Sequence, residues 1–166
     1  MSDEFRKYHT PDGGCFYIAM AANTSNISAG RSIGATPDGR FAKAPLSDAA
    51  SPTYGRDVNG PTAVVLSVTK PDYRQVACGT VLNQKFSPGM FADGKREKLA
   101  ALIRVYFARG GQEIQINATS RDILTDAVDH PEKYSDLVVR VSGFSAYYVT
   151  LDRAVQEDIL DRTQQE

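Results

Sequence analysis

Residues 137–149 of this 166-residue chain read LVVRVSGFSAYYV. This stretch is apolar, β-branched and aromatic, a composition typical of β-strands, but a single glycine, Gly143, interrupts it. No other glycine follows Gly111. Because a glycine inside a strand weakens the strand and leaves no side chain to pack, its spacing alone predicts a bulge or a tight turn at the end of a strand.

Outward from this stretch, the chain alternates between strand and helix patterns, which predicts an α/β fold. Leu99, Leu102, Ile103, Tyr106 and Phe107 have the spacing of one helix face, so residues 96–109 are predicted to be helical. A second helix is predicted from Ser120 to Val128, with Ser120 as its cap, and a third over 152–164, capped by Asp152. Strand patterns occupy four ranges: 63–70, 75–86, 112–119 (with Ile114 and Ile116 on one face) and 137–141.

The first part of the chain is rich in turns. Of the 21 glycines and prolines, 12 lie between Pro11 and Pro61, several of them in Pro-Asp-Gly clusters that favour tight turns. A loop region of this length is unusual in a compact domain and indicates a functional loop, disorder or packing against another part of the protein or another chain. We therefore divide the chain into a loop-rich segment, 1–62, and a regular domain, 63–166.

Composition excludes several classes of protein. The net charge is −1, so the protein has no overall electrostatic field that would attract nucleic acid or an anionic membrane. No apolar run approaches the ~20 residues needed to span a bilayer, and the first residues lack the apolar stretch of a signal peptide. We therefore expect a cytoplasmic protein. Two cysteines and two histidines are too few for a disulfide scaffold or a convincing metal site. Cys78, within VACGTVL, is expected to be a buried small hydrophobe.

Other polar and aromatic residues have ordinary structural interpretations. Asp152, Glu157 and Asp158 are predicted to form a helix cap and a solvated helix face. The triplet Asn83–Lys85 is interpreted as a polar strand end, with a substrate cavity as the alternative. Tyr147 and Tyr148 are expected in the core or at an interface.

The residues around Gly143 carry a resemblance to a known family. RVSGFSAYY (140–148), together with DRAVQEDILDRTQ (152–164), resembles the C-terminal radical signature of glycyl radical enzymes, and residues 26–70, 79–88 and 130–141 resemble successive further segments. The segment around Asn59-Gly60-Pro61 is more similar to the dehydratase, decarboxylase and C–N or C–S lyase branch than to pyruvate formate-lyase itself.

The resemblance implies a chemical role for the interrupting glycine. It matches Gly143 to the glycine from which an activating enzyme, using S-adenosylmethionine and an iron–sulfur cluster, removes one hydrogen. The radical is then a modification of the backbone, and no cofactor is bound. Arg140, Val141, Ser142, Phe144 and Ser145 are implied to shape this loop or to be recognised by the activating enzyme. Gly143→Ala is expected to abolish the radical and barely disturb the fold, unless the glycine requires a positive φ.

The resemblance also implies an incomplete fold. The family forms a ten-stranded α/β barrel from two five-stranded halves, and this chain matches only its C-terminal part, with the radical glycine on a loop. The cysteine that receives the radical lies upstream of every motif found here, and neither GGCFY around Cys15 nor VACGT around Cys78 matches its context. Residues 1–62 are therefore expected to pack on a partner barrel, and the chain is not expected to be active alone.

Three functions remain open on these grounds. The first is the small subunit of a split glycyl radical enzyme, whose large subunit carries the cysteine loop. The second is a spare part that restores an oxygen-damaged glycyl radical enzyme. The third, from another class, is a non-enzymatic α/β binding module. A piece of a longer enzyme is also compatible with the sequence, and the substrate is not determined by it.

Overall fold

The computed structural model describes residues 2–92 and 94–165. Its helices are α1 (Ser2–Phe5), α2 (Ser25–Arg31), α3 (Gly60–Val68), α4 (Arg96–Ala108), α5 (Arg121–Asp129) and α6 (Arg153–Asp161). Its strands are β1 (Val81–Phe86), β2 (Glu113–Asn117), β3 (Val138–Arg140), β4 (Ser145–Tyr147) and β5 (Gln164–Gln165).

The strands form a parallel sheet and a separate hairpin. In the sheet the order is β2–β1–β5, with Val81 opposite Glu113 at one end and Lys85 opposite Asn117 at the other. Strand β5 pairs with the end of β1. Strands β3 and β4 are antiparallel and form the hairpin that contains Gly143.

The core consists of three apolar clusters, and two of them hold the sheet and the hairpin. Helices α3 and α4 cover one face of the sheet, where Val65, Leu82 and Tyr106 are fully buried. Helices α5 and α6 pack with the hairpin around a second cluster, which includes Leu124, Val139, Val141, Tyr148 and Ile159. Hence the hairpin is anchored by apolar burial on one side and faces the sheet on the other.

Several predicted elements are confirmed. Helix α4 and strand β2 lie where the periodicity predicted them, and Ile114 and Ile116 both pack toward the helices. Ser120 caps α5, because its hydroxyl accepts a hydrogen bond from the Ile123 N–H at 3.3 Å. Tyr148 is in the core as expected, whereas Tyr147 is 53% exposed.

The predicted strand over 63–70 is wrong, because α3 occupies most of this range. Pro61 stands in the first turn of α3, where a missing N–H costs nothing and its fixed φ suits a helix. Val64, Val65 and Val68 then pack on Leu82 and Tyr106. Short apolar runs do not distinguish strand from helix by themselves, and tertiary packing decided this one.

The predicted strand over 75–86 begins only at Val81. A 3₁₀ turn covers Tyr73–Gln75, and Gly79 has a φ of +94°, which a strand does not adopt. Cys78 therefore lies in the turn region before the strand. It is exposed, contrary to the prediction that it is buried.

The last helix is shorter than predicted. Helix α6 ends at Asp161, Arg162 is extended (φ −60°, ψ 133°), and Gln164–Gln165 joins the sheet as β5. Asp152 precedes α6 but makes no side-chain capping hydrogen bond. Within the described ranges, no helix has the length and apolarity needed to cross a membrane.

Candidate functional site

Gly143 lies in the turn that joins β3 to β4. The Val141 N–H donates to the Phe144 carbonyl at 2.9 Å, which closes the hairpin around Ser142 and Gly143. Gly143 has a φ of +84°, a conformation that favours glycine. The tight turn predicted from spacing is confirmed, and the turn by itself accounts for a glycine at this position.

A row of polar side chains on the sheet supports the hairpin. Because side chains alternate along a strand, Gln115 and Asn117 of β2 lie on the face opposite Ile114 and Ile116. The Gly143 N–H donates to Gln115 Oε1 at 3.0 Å. Asn117 binds Arg140 twice: its Nδ2 donates to the Arg140 carbonyl at 2.7 Å, and its Oδ1 accepts from the Arg140 N–H at 2.8 Å.

Asp48 connects the hairpin to β1. The Ser142 hydroxyl donates to Asp48 Oδ1 at 2.9 Å, and Asn83 Nδ2 donates to Asp48 Oδ2 at 2.6 Å. All three side chains are buried. The residue before Gly143 is therefore held by a carboxylate from the loop-rich segment.

A buried ion-pair network extends from Asp48. Arg162 Nη2 lies 3.1 Å from Asp48 Oδ2 and 3.3 Å from Asp158 Oδ2. Asp158 Oδ1 accepts further hydrogen bonds from Asn26 Nδ2 at 3.0 Å and the Tyr54 hydroxyl at 2.8 Å. These contacts connect α6 and Arg162 to three residues of the loop-rich segment, Asn26, Asp48 and Tyr54.

Burial dominates the electrostatics of this network. It raises the pKa of Asp48 above its usual range, although the attraction of Arg162 and the hydrogen bonds from Ser142 and Asn83 act in the opposite direction. Burial also raises the pKa of Tyr54, and the neighbouring Asp158 raises it further, so Tyr54 stays protonated and donates to that carboxylate.

Lys85 is a second charged group inside this region. It is 2% exposed, and its Nζ has no hydrogen-bond partner among the described residues. Burial, followed by the positive charges of Arg121 and Arg162, lowers its pKa to about 8. This lowered pKa reflects the free-energy cost of burying the charged ammonium group.

A strained turn stands beside Gly143 on its α-carbon side. Asn23 and Thr24 are consecutive non-glycine residues with positive φ, at 46° and 74°. A Cβ added to Gly143 would lie 3.2 Å from Asn23 Oδ1. Backbone strain of this kind is found at functional sites when surrounding structure maintains it.

The comparisons with known proteins decide the family. The family described as "Glycine radical" matches residues 46–149, which is more than half of the chain and includes the whole hairpin. The chain belongs to the glycyl radical enzyme family. The predicted resemblance is therefore confirmed.

Relatives and solved structures of this family match 85–99% of this chain. It is 41% identical over 170 residues to the probable dehydratase YbiW of Escherichia coli, covering 98% of this chain and 21% of that protein. Isethionate sulfite-lyase of Oleidesulfovibrio alaskensis is 43% identical over 145 residues, covering 85% of this chain and 17% of the relative. The B12-independent glycerol dehydratase of Clostridium butyricum superposes with a TM-score of 0.94 at 43% identity, and the match covers 99% of this chain and 21% of the dehydratase.

The chain thus spans about a fifth of the length of the relatives it matches. It corresponds to the C-terminal, radical part of their α/β barrel, as predicted. The similarity to dehydratases and lyases also confirms the predicted branch of the family.

The six residues predicted from the motif lie together in one hairpin. Val141 and Ser142 are buried, Arg140 is half-buried, and Gly143, Phe144 and Ser145 are exposed in this chain. Arg140 Nη1 donates to the Ser145 hydroxyl at 3.1 Å across the hairpin. This geometry suits a shaped loop, and recognition by an activating enzyme remains a prediction.

Sequence reasoning missed the residues that hold the hairpin. Asp158 was predicted on a solvated face but is 5% exposed, because Arg162, Asn26 and Tyr54 surround it; Glu157 is exposed as predicted. The triplet Asn83–Lys85 lies within β1 and is buried, so the interpretation as a strand end is wrong.

One signal could have found Gln115 and Asn117. In QEIQINAT the two isoleucines share a face, so the two amides share the other, and buried amides require partners. As for metals, the described part of the chain contains no group of three or more histidine, cysteine, aspartate or glutamate side chains placed to bind an ion.

Proposed function

We propose that this chain is the small, radical-bearing subunit of a split glycyl radical enzyme. The observation that carries the proposal is Gly143, a glycine at positive φ in a hairpin turn held by buried side chains, inside the segment that matches the family. The hairpin supplies an α-carbon without a side chain, in a turn that side-chain hydrogen bonds from Gln115 and Asp48 hold in place.

The chemistry requires two hydrogen-atom transfers. An activating enzyme that uses S-adenosylmethionine and an iron–sulfur cluster removes one hydrogen atom from the Gly143 α-carbon and leaves one unpaired electron there. That carbon then takes the hydrogen atom from a cysteine S–H of the large subunit, which restores glycine and leaves a thiyl radical. The thiyl radical begins cleavage of a C–C, C–O, C–N or C–S bond in the substrate.

The required cysteine is proposed to come from the partner. Asn23 Oδ1 is the one described atom, apart from chain neighbours, within 4 Å of a Cβ position on Gly143, so no described sulfur lies there. Cys15 and Cys78 are both exposed. The chain is therefore proposed to be inactive alone and to act, in the cytoplasm, with a large subunit that carries the cysteine loop.

The loop-rich segment 1–62 is the proposed docking region. It exposes large apolar side chains, with Phe41 at 82%, Val58 at 75%, Tyr8 at 64% and Tyr17 at 63%. Large exposed apolar side chains become buried when another protein packs over them, and this burial favours association. Strand β2 also ends the sheet among the described strands, and an open strand edge invites pairing with another chain.

Electron paramagnetic resonance tests the radical assignment. Anaerobic treatment with the cognate activating enzyme and S-adenosylmethionine should give a doublet from coupling to the α-proton, and glycine deuterated at the α-carbon should collapse it. Air should then cut the backbone at Gly143, which leaves a fragment ending near Ser142 and separates it from β4, α6 and β5. A non-enzymatic binding module would give neither a radical nor an oxygen-dependent cut.

A complementation assay separates the split enzyme from the spare part. The radical-bearing chain is mixed either with a large subunit that lacks its own radical domain or with a complete enzyme already cleaved by oxygen. Turnover with the first supports the split enzyme. Recovery of activity confined to the second would support the spare-part function instead.

A further inference from the structure

We propose that Gln115 is the positioning residue of the radical site. Its carboxamide oxygen holds the Gly143 peptide in the turn and, once the radical forms, sets how the unpaired electron is shared between the α-carbon and the amide nitrogen. The positioning follows from the contacts of the chain, whereas the electronic effect rests on the proposed function.

The position of Gln115 is rigid. It lies in β2, which is paired along its length with β1, and its side chain is 4% exposed. Its Oε1 accepts the Gly143 N–H at 3.0 Å from a residue 28 positions away in the sequence. The N–H of Gly143 therefore finds its hydrogen-bond acceptor on the neighbouring sheet and not within the hairpin.

The orientation of the carboxamide is also determined. Gln115 Nε2 donates to Glu113 Oε1 at 2.6 Å, so the nitrogen points at a carboxylate and the oxygen points at Gly143. A flipped amide would place its NH₂ against the Gly143 N–H and its oxygen against the Glu113 carboxylate. Both contacts would be repulsive, which leaves one orientation.

A neighbouring residue on the same face acts on the base of the hairpin. Asn117 binds both the N–H and the carbonyl of Arg140, so β2 holds β3 and the turn through two amides two residues apart. Asn117 positions the strand, whereas Gln115 alone of the two acts on the peptide of Gly143.

The electronic consequence follows from ordinary amide chemistry. An acceptor on an N–H increases the electron density at the nitrogen, and a radical on the adjacent α-carbon is delocalised onto that nitrogen. Loss of the acceptor should therefore lower the hyperfine coupling of the amide nitrogen and its exchangeable proton, while the α-proton doublet persists.

Hydrogen exchange of the full chain tests the positioning without any radical. Gln115→Leu keeps the side-chain size and removes the acceptor, and should accelerate exchange of the Gly143 amide about ten-fold, as expected for loss of one hydrogen bond. Gln115→Asn, one methylene shorter but still polar, should also accelerate it. Gln112→Leu is the matched control, because the Gln112 amide binds the carbonyls of Tyr73 and Val76 and should leave Gly143 unchanged.

The results separate this proposal from the proposed function. Unchanged exchange in both folded Gln115 variants would overturn the positioning role, with or without a radical. When wild type forms the radical, a nitrogen and exchangeable-proton coupling that is the same in Gln115→Leu as in Gln112→Leu would overturn the electronic role. Absence of the radical in wild type would refute the proposed function, while amide exchange would still decide whether Gln115 positions Gly143.

Discussion

Gly143→Ala should cost stability as well as abolish the radical. The expectation that the fold is barely disturbed held only if the glycine needed no positive φ, and its φ is +84°. An L-residue in the left-handed region costs about 1–2 kcal/mol, and the lower entropy of the unfolded chain offsets about 0.4–1 kcal/mol of this. The new Cβ would also lie 3.2 Å from Asn23 Oδ1, closer than ordinary contact, so the amide must move. The two backbone effects leave a cost of about 0–1.6 kcal/mol, and the contact with Asn23 adds to it. We expect a net loss of about 1 kcal/mol in the free energy of unfolding.

Urea denaturation measures this loss, and Gly110→Ala is its control. Gly110 has a φ of +93° with nothing within 4 Å of a Cβ, so this variant carries the same backbone cost without the contact or the radical. It should be destabilised slightly less than Gly143→Ala and should keep the doublet in electron paramagnetic resonance. A Gly143→Ala variant as stable as wild type would show that the turn relaxes. A retained doublet in that variant would refute the assignment of the radical to Gly143.

Two further predictions concern buried charges. Arg162→Ala leaves Asp48 and Asp158 buried without their shared cation and should cost about 3–5 kcal/mol in the free energy of unfolding; a loss below about 1 kcal/mol would contradict the network. Lys85→Met should stabilise the chain at pH 7 by up to about 3 kcal/mol. The pKa of Lys85 is about 8 in the folded state and 10.5 in the unfolded state, so between pH 8 and pH 10.5 the unfolded state binds more protons. The free energy of unfolding of the wild type therefore rises with pH over this range, and the stability advantage of Lys85→Met should shrink. A difference that is independent of pH would show that Lys85 is not buried as a cation.

Much of the local structure was predictable because its causes are local. The extent of α4 follows from a 3.6-residue apolar period, and the cap of α5 from one serine hydroxyl within reach of an N–H three residues later. The turn at Gly143 likewise follows from the interruption of a β-forming run. The family resemblance added the chemical meaning of that glycine, which the spacing alone did not contain.

The errors share a physical cause. Residues 63–70 are compatible with strand or helix, and packing against Leu82 and Tyr106 made them a helix. Asp158, placed on a solvated face by pattern, became buried because Asn26 lies 132 positions away in sequence and next to it in space. The pattern of neighbouring residues does not predict contacts between residues that are far apart in the sequence.

The amino-acid sequence was enough to predict the class of fold, the tight turn at Gly143 and the family, whereas strand β4, which completes the hairpin, was not predicted. The side chains that hold Gly143 emerge only from the three-dimensional fold. Gln115 accepts its N–H, and Asp48, 94 positions from Ser142, accepts the hydroxyl of the residue before it. The reason is that turns and helix faces arise from neighbours in the chain, whereas a buried polar group takes its partner from whichever strand or loop the fold brings within hydrogen-bond distance.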